Sequence, residues 1–394
     1  MSTKSRIFYA CQTVSMTSAV GLNPDDERRY YKWVPGIQSI SVNTDFKLDP
    51  VFHFGQLGLY ENLETVPDIE INMTKFIDGW PLLYHLAIGE GQLIELVNHR
   101  CGVRLGILEK ETSSSSFDGY PYEFLTMKPC YLSNISYSLG VNEKFTETAT
   151  LVGNSRSWDR SGGAFETFPP GYFTAHPTGM GIAQKQHLDL TQTLLPTGYP
   201  TNGNPQLLDT RLILTQDDLD EWHGGIIKDS HIQSINISVN IGRDPIYHFG
   251  QLIPYSRPIA FPVEVNCEIS VIATDGDFIG YGDYNPINKS TYNFYTCSNP
   301  QLLRPKAIKI VLCDGTTFDL GRNNKLKSIS YKGDTGGGNT IATYSYTTYN
   351  DFTFKPKDPA RGTMNNVGVL GGPPSIPNTS DWFFYNPPTN IPNN

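Results

Sequence analysis

The chain has 394 residues and a formal net charge of −9, with 30 Lys and Arg residues against 39 Asp and Glu residues. A chain of this length accommodates two or more domains that each bury a core. Its negative charge argues against a groove that binds nucleic acid by neutralising phosphates. Its 22 Tyr, 20 Phe, 36 Gly and 28 Pro residues favour strands and turns over helices, so we expect a mainly β fold.

The start of the chain and the cysteines bear on where the protein is made. No long apolar run follows the basic residues near the start, and no apolar run reaches the roughly 18 residues that a membrane helix requires. The six cysteines are scattered without a C-x-x-C pair, which is typical of buried free thiols rather than of disulfides or a zinc site. We therefore expect a soluble protein, made in a reducing cytosol and without a membrane partner.

One segment of the chain occurs twice. Residues 49–57 read Asp-Pro-Val-Phe-His-Phe-Gly-Gln-Leu, and residues 244–252 read Asp-Pro-Ile-Tyr-His-Phe-Gly-Gln-Leu, at an offset of 195 residues. We expect this repeated motif to have a structural role. Its shared residues are Asp49, Pro50, His53, Phe54, Gly55, Gln56 and Leu57 in the first occurrence, and Asp244, Pro245, His248, Phe249, Gly250, Gln251 and Leu252 in the second.

The match extends beyond the motif on both sides. Upstream, Ile-Gln-Ser-Ile occurs at residues 37–40 and again at 232–235. Downstream, when Asp68 is counted as one extra residue, Glu70 aligns with Glu264. A match of this length in one frame indicates a tandem duplication.

The duplication divides the chain into four segments. Copy 1 is expected to span residues 1–155 and copy 2 residues 206–358, each forming a β-sandwich or barrel-like domain. Residues 156–205 are rich in Gly, Ser and Pro, which predicts a linker or a surface excursion. Residues 359–394 form a tail rich in Pro and aromatic residues.

Alternating apolar and polar residues predict strands in both copies. Residues 235–241 and 263–271 of copy 2 alternate strictly, and residues 69–74 of copy 1 do the same. This period of two is typical of a half-buried strand. The first clear strand of copy 1 is predicted at residues 40–42.

Each copy ends with a related pair of strands. Copy 1 has Leu-Ser-Asn-Ile-Ser-Tyr at residues 132–137, followed by an apolar/Thr segment at 145–151. Copy 2 has Leu-Lys-Ser-Ile-Ser-Tyr at 326–331, followed after a glycine-rich turn by 341–346. Both pairs predict β-hairpins.

The two copies diverge between these strands. In copy 1 the spacing of apolar residues at 82–86 favours a short helix, with Pro81 in its first turn. In copy 2 the corresponding region is an acidic, glycine-rich loop at residues 275–283. The loop lacks the spacing of an EF-hand, so a solvated loop is favoured over a calcium site.

The sequence lacks the motifs of common catalytic sites. It contains no G-x-S-x-G, P-loop or H-E-x-x-H pattern, each of which supports a known chemistry. His53 and His248 repeat without a repeated nucleophile or carboxylate partner, which is more typical of a hydrogen-bonded structural histidine than of a base or a ligand. We expect no enzymatic activity, no cofactor and no metal.

Two segments are candidate assembly contacts. The tip of the second hairpin comprises Gly336, Gly337, Gly338 and Asn339, and the tail contains the aromatic run Trp382, Phe383, Phe384 and Tyr385. Burying one large aromatic side chain stabilises by roughly 1.5–3 kcal/mol. We therefore expect the tail to dock on its own domain or on a neighbour.

A duplicated β domain is a way to build a ring from half as many chains. Edge strands, which promote aggregation in a monomer, can pair with the next subunit of a ring. Three chains would contribute 3 × −9 = −27 charges, and a negative channel would repel DNA phosphates and let the duplex pass.

The frame of repeated residues resembles virion structural proteins of tailed bacteriophages. It combines Ile-Gln-Ser-Ile, Asp-Pro-x-x-His-Phe-Gly-Gln-Leu and Ile-Ser-Tyr with a Thr-rich last strand, and residues 263–274 are the most similar stretch. The two-copy layout, over residues 37–155 and 232–354, is similar to the duplicated tail-tube subunits of some long-tailed phages. In that family each copy is a β-sandwich with a flanking helix, and trimeric, pseudo-hexameric rings stack into a tube around a DNA channel.

The resemblance implies a structural subunit of a bacteriophage tail tube, located in the virion and made in the host cytoplasm. Its partners would be further copies of itself and other virion tail proteins, and double-stranded DNA would pass without specific binding. Two alternatives stay open. The first is another virion component, such as a head–tail completion, baseplate or capsid decoration protein.

The second alternative is a glycan-binding β module, which the abundance of Tyr would allow. The repeated aromatic residues Phe54, Tyr60, Phe249 and Tyr255 lie inside the repeated frame. Packing in a core or an interface is favoured over sugar stacking at such positions. We therefore place glycan binding last.

Overall fold

The computed structural model describes residues 12–17, 31–46, 48–55, 57–64, 66–77, 82–88, 93, 98–107, 123–141, 143–159, 195–196, 232–250, 253–272, 306–311, 316–321, 323–333 and 339–355. Over these ranges the chain consists mostly of strands, and the prediction of a mainly β fold is confirmed. The elements are β1 (Gln12–Thr17), β2 (Lys32–Trp33), β3 (Ile37–Asp45), β4 (Leu48–Phe52), β5 (Leu59–Glu64), β6 (Asp68–Phe76), α1 (Leu83–Ile88), β7 (Cys101–Ile107), β8 (Glu123–Gly140), β9 (Thr146–Gly153), β10 (Arg156–Asp159), β11 (Leu195–Pro196), β12 (Ile232–Asn240), β13 (Glu264–Ile272), β14 (Lys306–Ala307), β15 (Lys309–Val311), β16 (Thr317–Asp319), β17 (Lys325–Lys332), β18 (Ile341–Tyr349) and β19 (Thr353–Lys355).

The main sheet is antiparallel and contains strands of both copies. Copy 1 contributes β3, β6, β9 and β8 in that spatial order, and copy 2 contributes β12, β13, β18 and β17. Strand β8 of copy 1 pairs with β12 of copy 2, so the two sets form one continuous sheet. Buried and less buried residues alternate along β9, β13 and β18, as expected for a sheet with one face on the core.

The two sets of strands match in detail. The pairing of β3 with β6 is interrupted between Ile37 and Ser39, and the pairing of β12 with β13 is interrupted between Ile232 and Ser234. These irregularities lie 195 residues apart in the chain. The predicted hairpins β8–β9 and β17–β18 are both present. Their pairing is interrupted at equivalent places, between Leu132 and Asn134 in β8 and between Leu326 and Ser328 in β17.

The register of the strands corrects one detail of the sequence alignment. Asp45 lies opposite Asp68, and Asn240, the counterpart of Asp45, lies opposite Glu264. Asp68 and Glu264 are therefore counterparts, and the alignment of Glu70 with Glu264 was wrong by two positions. A shift of two residues leaves every side chain on the same face of its strand, which is why the alternation did not reveal it.

A second layer packs on the apolar face of the main sheet. In copy 1 it contains β7, the first part of β8, and β10, with β1 and β2 added beside β7. In copy 2 it contains β15, β16 and β19. Strand β10 begins at Arg156, the first residue of the segment predicted as a linker.

One hydrophobic cluster lies between the layers and includes residues of both copies. The Tyr137 ring of β8 lies 4.7 Å from the Phe318 ring of β16, and the Tyr84 ring of α1 lies 5.5 Å from the Phe352 ring. The prediction of a short helix near residues 82–86 is confirmed by α1. Because these aromatic contacts join copy 1 to copy 2, the copies share their core.

A buried carboxylate holds α1 on the sheet. The backbone N–H groups of Leu83 and Tyr84 donate to the carboxylate of Glu147 at 2.6 and 3.0 Å, which satisfies donors that lack partners at a helix start. Glu147 lies opposite Lys75 on the neighbouring strand, and both side chains are fully buried. Burial raises the pKa of Glu147 to about 7, although the two N–H donors and Lys75 oppose the rise.

Three of the six cysteines lie in the part of the chain that the structure describes. Cys101, Cys130 and Cys267 are buried free thiols, as predicted. Cys101 lies opposite Cys130 on the neighbouring strand, and its thiol donates to the backbone carbonyl of Cys130 at 3.5 Å. Burial raises the pKa of the Cys101 and Cys267 thiols to about 12.

Candidate assembly interfaces

The junction between the copies is a strand-to-strand pairing in the middle of the main sheet. Strands β8 and β12 are antiparallel, with a register that runs from Ser234 opposite Gly140 to Asn240 opposite Asn134. The side chains that point to the core from these two strands are almost completely buried: Ile135, Tyr137, Leu139, Ile235, Ile237 and Val239. The copies are therefore joined by both backbone hydrogen bonds and apolar burial.

The two ends of the main sheet present the same kinds of strand that meet in its middle. Among the described residues, β3 pairs only with β6, and β17 pairs only with β18. Strand β3 is the counterpart of β12, because Ile37 and Ile232 begin the same Ile-Gln-Ser-Ile sequence. Strand β17 is the counterpart of β8, because both contain Ile-Ser-Tyr. The two free edge strands, β3 and β17, are thus counterparts of the two strands that pair at the internal junction.

Residues at the two free edges are more exposed than their counterparts at the internal junction. Tyr331 on β17 is 51% exposed, whereas its counterpart Tyr137 is 1% exposed. Val42 on β3 is half-buried, whereas its counterpart Ile237 is 1% exposed. An apolar edge of this kind can pair with another chain.

The face of the main sheet that points away from the core is lined by hydroxyl and amide groups. Cross-strand hydrogen bonds order this face: Thr150 Oγ1 donates to Asn72 Oδ1 at 2.7 Å, and the Ser270 and Thr343 hydroxyls lie 2.9 Å apart. A cavity of about 550 Å³ on this face is bordered by residues of β8, β9, β12, β13, β17 and β18. The polar side of the sheet therefore has a depression over these six strands.

Charged groups of both signs lie on this polar face, which we call the open face, and the basic ones are Lys325, Lys327 and Lys332 of β17. Glu70 and Glu268 point to it from β6 and β13. Glu264 does so as well, and its carboxylate lies 3.5 Å from Lys327 Nζ. The polar side chains of the open face include Ser39, Ser41, Asn43, Asn72, Thr74, Asn134, Ser136, Ser138, Thr146, Thr148, Thr150, Ser234, Asn236, Ser238, Asn266, Ser270, Ser328, Ser330, Thr343, Ser345 and Thr347.

The repeated motif lies in two projecting hairpins, which we call arm 1 (residues 48–64) and arm 2 (residues 243–259). Arm 1 is formed by β4 and β5, and arm 2 by two isolated bridges, Arg243 with Ile259 and Ile246 with Ser256. The arms begin at positions 195 residues apart, immediately after β3 and β12. They occupy equivalent places in the two copies.

The tips of the arms are apolar and touch nothing else that the structure describes. Phe54 and Leu57 of arm 1 are 100% and 105% exposed, and Phe249 of arm 2 is 106% exposed. Gly55 and Gly250 have φ angles of +84° and +89°, which L side chains rarely adopt. The prediction that Phe54 and Phe249 pack in a core is therefore wrong for the isolated chain, and their packing in an interface stays a prediction.

Both arms leave the same end of the main sheet. Strand β3 ends at Asp45 and β12 ends at Asn240, and Asn240 lies opposite Asn134 at the start of the paired part of β8. Strand β8 runs in the opposite direction, so its connection to β9 after Gly140 lies at the other end. Strand β17 ends there too, with Lys332 opposite Ile341. We call these the arm end and the hairpin end of the sheet.

The base of arm 2 is fastened to copy 1 by two buried or half-buried arginines. Arg257 Nη2 donates to Asp68 Oδ1 at 2.8 Å and to Asn154 Oδ1 at 2.7 Å. Arg243 Nε donates to the backbone carbonyl of Leu132 at 2.8 Å. Burial lowers the pKa of Arg243 to about 10, which leaves it charged at neutral pH.

Arm 1 lacks these arginines. Leu48 and Asn62 stand where arm 2 has Arg243 and Arg257. Leu48 is 53% exposed, and Leu63 beside Asn62 is 49% exposed. The base of arm 1 therefore presents apolar surface at the place where arm 2 already contacts its neighbour.

The other residues that the sequence marked as candidate contacts or motif residues lie on the arms, at the hairpin end or outside the described ranges. His53 and His248 are exposed on the arms, with their rings 5.7 Å from those of Tyr60 and Tyr255. Asn339 is exposed at the hairpin end. Outside the described residues lie Gln56, Gln251, Leu252, Gly336, Gly337, Gly338, Trp382, Phe383, Phe384, Tyr385 and the acidic loop at 275–283.

The exposure of the two arms was not predicted from the sequence. A signal was present, because Asp-Pro begins each motif and a glycine follows Phe, a combination typical of a turn. Apolar residues around such a turn could have indicated an exposed hairpin tip. The role of the arginines at the base of arm 2 could not be predicted from the repeat, since they have no counterpart in copy 1.

In the part of the chain that the structure describes, no group of three or more His, Cys, Asp and Glu side chains is placed to hold a metal ion. No helix there is long and apolar enough to cross a membrane.

Comparison with known proteins gives structural neighbours only. No family model matches the sequence, and no curated protein matches it. One solved structure that is similar is the anti-feeding prophage baseplate, with 11% identity over 40% of this chain and 97% of that chain, at a TM-score of 0.28. The SPP1 tail tube has 10% identity over 39% of this chain and 80% of that chain, at a TM-score of 0.28.

A crystal structure of Hcp protein is also similar, with 12% identity over 38% of this chain and 98% of that chain, at a TM-score of 0.21. In each case the similar part is less than half of this chain. All three TM-scores are below 0.5, so the likeness does not assign a function.

Proposed function

We propose that this chain is a structural subunit of a bacteriophage tail tube and that it forms rings by pairing the two free edges of its main sheet. Strand β17 of one chain pairs with β3 of the next, antiparallel and in the register of the internal β8–β12 junction. The observation that supports this proposal is the repetition of strand order, because the strands at the free ends are counterparts of the two strands that meet in the middle.

The internal junction predicts which residues meet between chains. Ile237 lies opposite Tyr137, and Ser238 lies opposite Ser136. Replacing each residue by its counterpart places Val42 opposite Tyr331 of the next chain. It also places Asn43 opposite Ser330. Tyr331 would then be buried, as Tyr137 is.

The same arrangement would cover the base of arm 1. Arm 2 rests on copy 1 within the chain, and by repetition arm 1 would rest on copy 2 of the neighbouring chain. The exposed Leu48 and Leu63 would be removed from water there, each stabilising by up to roughly 1.5–3 kcal/mol. Backbone pairing and apolar burial would act together, as they do at the internal junction.

Only one face of the sheet is available to line a channel. The other face is covered by the second layer and α1, so a ring that closes through β17 and β3 would have the open face on its inside. Hydroxyl and amide groups would face a duplex, together with acidic residues such as Glu70 and Glu268 and the three lysines of β17. Because most of these groups are uncharged, such a lining would bind phosphates weakly, so DNA would pass without being held.

Three chains per ring would give six similar units, which is the trimeric, pseudo-hexameric arrangement. Stacked rings would form the tube, with further copies of the chain and other virion tail proteins as partners. The protein would be made in the host cytoplasm and located in the virion. It would act without catalysis, as a wall around the DNA.

Disulfide cross-linking tests the predicted register. We expect the double variant Val42→Cys/Tyr331→Cys, or its neighbour Asn43→Cys/Ser330→Cys, to form covalent oligomers on oxidation of assembled protein. Two adjacent pairs are needed because opposite residues in antiparallel strands alternate between close and wider spacing. The readout is a ladder of chain multiples on a denaturing gel.

A register control uses Val42→Cys with Ile329→Cys. These two positions would be diagonal neighbours about 7–8 Å apart, too far for an unstrained disulfide, and we expect little cross-linking. Single-cysteine variants report the background from the native thiols. Assembled protein in which neither predicted pair forms oligomers above that background would contradict the proposal. Closed rings that never stack would favour a completion or baseplate component over a tube.

A further inference from the structure

We propose that the two free edges of the main sheet recognise each other by charge, because two lysines at the arm end of β17 would face two carboxylates at the arm end of β3 in the next chain. The lysines are Lys325 and Lys327, and the carboxylates are Asp45 and Asp49. The inference rests on the proposed ring and adds what selects the partner edge. Strand pairing and apolar burial would hold the closed junction, whereas the charges would decide which edges meet.

The internal junction, in contrast, carries no charged side chain on its open face. Strand β17 has three lysines, and β3 ends in Asp45. Charge is therefore present on the edges that have to find each other, and absent where the same kinds of strand pair within one chain. The open-face residues of the internal junction are Asn134, Ser136 and Ser138 on β8, and Ser234, Asn236, Ser238 and Asn240 on β12.

The register of the internal junction places Lys327 beside Asp45. In that junction the Ile241 N–H donates to the Ser133 carbonyl at 2.9 Å. The counterparts of these two residues are Phe46 and Lys327. Asp45 comes directly before Phe46, so it would lie next to Lys327 of the neighbouring chain. Both side chains are exposed in the single chain.

The base of arm 1 would bring Asp49 to the same place. Arg243 Nε donates to the Leu132 carbonyl at 2.8 Å, and the counterparts of these two residues are Leu48 and Leu326. Asp49 follows Leu48, and the two lysines flank Leu326. Arm 1 as a whole contains three acidic residues and no Lys or Arg, whereas arm 2 contains two Arg and one Asp. Arm 1 therefore suits a basic neighbour.

The surroundings of Asp45 leave the free edge as the side from which a lysine can approach. The residue opposite Asp45 on β6 is another acid, Asp68, which is paired with Arg257. Arg156 donates to a hydroxyl on the other face of β3. Lys47 lies outside the described residues.

The present partner of Lys327 does not occupy it fully. Lys327 Nζ lies 3.5 Å from a Glu264 oxygen, and the two side chains are 62% and 37% exposed. Exposed pairs of this kind contribute little, and an ammonium group has three donors. Lys327 is therefore free to serve a carboxylate of the next chain as well.

The charges also act against wrong pairing. Two β17 strands side by side would bring their lysines together, and two β3 strands would bring their carboxylates together. Like charges opposite each other destabilise a sheet, and repulsion of this kind excludes a wrong partner. Complementary charges between exposed surfaces raise association rates more than affinity and are screened by salt. We therefore expect rings of the wild type to form more slowly as NaCl is raised.

The test reverses the charges of each edge and then of both. The variants are Lys325→Glu/Lys327→Glu, Asp45→Lys/Asp49→Lys, and the combination of all four substitutions. The smaller pair Lys327→Glu and Asp45→Lys, alone and combined, repeats the test without changing arm 1. A matched control is Lys332→Glu, because Lys332 is an exposed lysine of the same strand that would lie opposite an uncharged serine of β3. Sedimentation velocity measures rings, and circular dichroism measures folding.

We expect each double variant to fold like the wild type and to form rings at least about tenfold more slowly, because like charges then meet at the junction. The combined variant should recover, and Lys332→Glu should assemble like the wild type. Double variants that assemble at the rate of the wild type would overturn the role of charge. A folded combined variant that stays as slow as the double variants would overturn it too.

The Asn43→Cys/Ser330→Cys cross-link distinguishes this inference from the proposed ring. Cross-linked oligomers of the chain with its native charges, together with double variants that assemble normally, would remove the selection by charge and leave the ring in place. Assembled protein without the β17–β3 cross-links would overturn both, because the register that brings Lys327 to Asp45 would then be wrong.

Discussion

Copy 1 and copy 2 have the same strand order, but the bases of their arms differ. Arg257 of arm 2 donates to Asp68 and Asn154 of copy 1, whereas arm 1 has Asn62 at the corresponding place. The junction inside the chain is thus held by charge-assisted hydrogen bonds in addition to strand pairing. The proposed junction between chains would rely on strand pairing and apolar burial. This difference would let the chain fold first and assemble afterwards.

The interiors of the copies differ as well. Lys75 and Glu147 form a fully buried cross-strand pair in copy 1. The register places Val271 and Ala342 at the corresponding positions in copy 2, where both are buried. One sheet architecture therefore accommodates a charged pair or an apolar pair at the same place. The charged pair has a specific local task, since Glu147 accepts the N–H groups at the start of α1.

The largest contrast is expected between the internal junction and its external counterpart. Tyr137→Asp would bury an unpaired carboxylate where the ring is 1% exposed, and we expect the chain not to fold. Tyr331→Asp, at a side chain 51% exposed, should leave the melting temperature within a few degrees of the wild type but abolish rings. Circular dichroism melts and sedimentation velocity check both. Rings formed by Tyr331→Asp would show that the proposed β17–β3 junction is not equivalent to the internal β8–β12 junction.

The next largest effect concerns the buried pair of copy 1. Glu147→Ala removes the carboxylate that faces the buried Lys75 and that accepts the N–H groups at the start of α1, so we expect a loss of about 3–5 kcal/mol in the free energy of unfolding. The double variant Lys75→Val/Glu147→Ala reproduces the pair found in copy 2 and should cost less than Glu147→Ala alone. Urea denaturation of both variants measures this. A double variant that is less stable than the single would show that the copies are not interchangeable here.

The same pair predicts a dependence of stability on pH. Burial raises the pKa of Glu147 from 4.5 to about 7, so between these values the folded chain binds more protons than the unfolded chain. The contribution of Glu147 is therefore fully present below about pH 4.5, falls as pH rises to about 7, and is then constant. A shift of this size corresponds to about 3 kcal/mol.

The Lys75→Val/Glu147→Ala variant isolates this contribution from that of other groups. We expect the difference in stability between the wild type and the variant to shift in favour of the variant as pH rises from about 4.5 to about 7. Urea denaturation at a series of pH values measures the difference. A difference that does not change with pH would mean that Glu147 titrates near its ordinary pKa.

The smallest effect is expected at the base of arm 2. Arg257→Ala removes buried charge-assisted hydrogen bonds and should cost about 1.5–3 kcal/mol. Its counterpart variant in arm 1, Asn62→Ala, changes an exposed residue and should alter stability by no more than about 0.5 kcal/mol. Thermal or urea unfolding of the two variants compares them directly. Equal losses of stability in the two variants would show that arm 2 is not anchored more firmly than arm 1.

Much of the fold could be predicted from local patterns. The alternation at residues 69–74 and 263–271 predicted β6 and β13, and Ile-Ser-Tyr marked the hairpins, because a sheet with one buried face imposes a period of two. The helical spacing near Leu83 predicted α1 for a similar reason. These features depend on neighbouring residues, so one sequence suffices to reveal them.

The candidate interfaces depended on relations between distant residues. The pairing of β8 with β12, and hence the identity of the free edges, follows from the spatial order of strands, which no local pattern encodes. Exposure of Phe54 and Phe249 was indicated only by the turn residues around them, because an apolar side chain occurs equally in a core and in an interface. The role of Arg257 requires the proximity of Asp68, which is 189 residues earlier in the chain.

Amide hydrogen exchange in assembled and unassembled protein tests the closing of rings through β17 and β3 most directly. We expect amides of β3 and β17 to exchange markedly more slowly after assembly, because edge N–H groups gain strand partners, whereas amides of β8 and β12 are already protected and change little. Assembled rings in which neither β3 nor β17 gains protection would contradict ring closure through these strands.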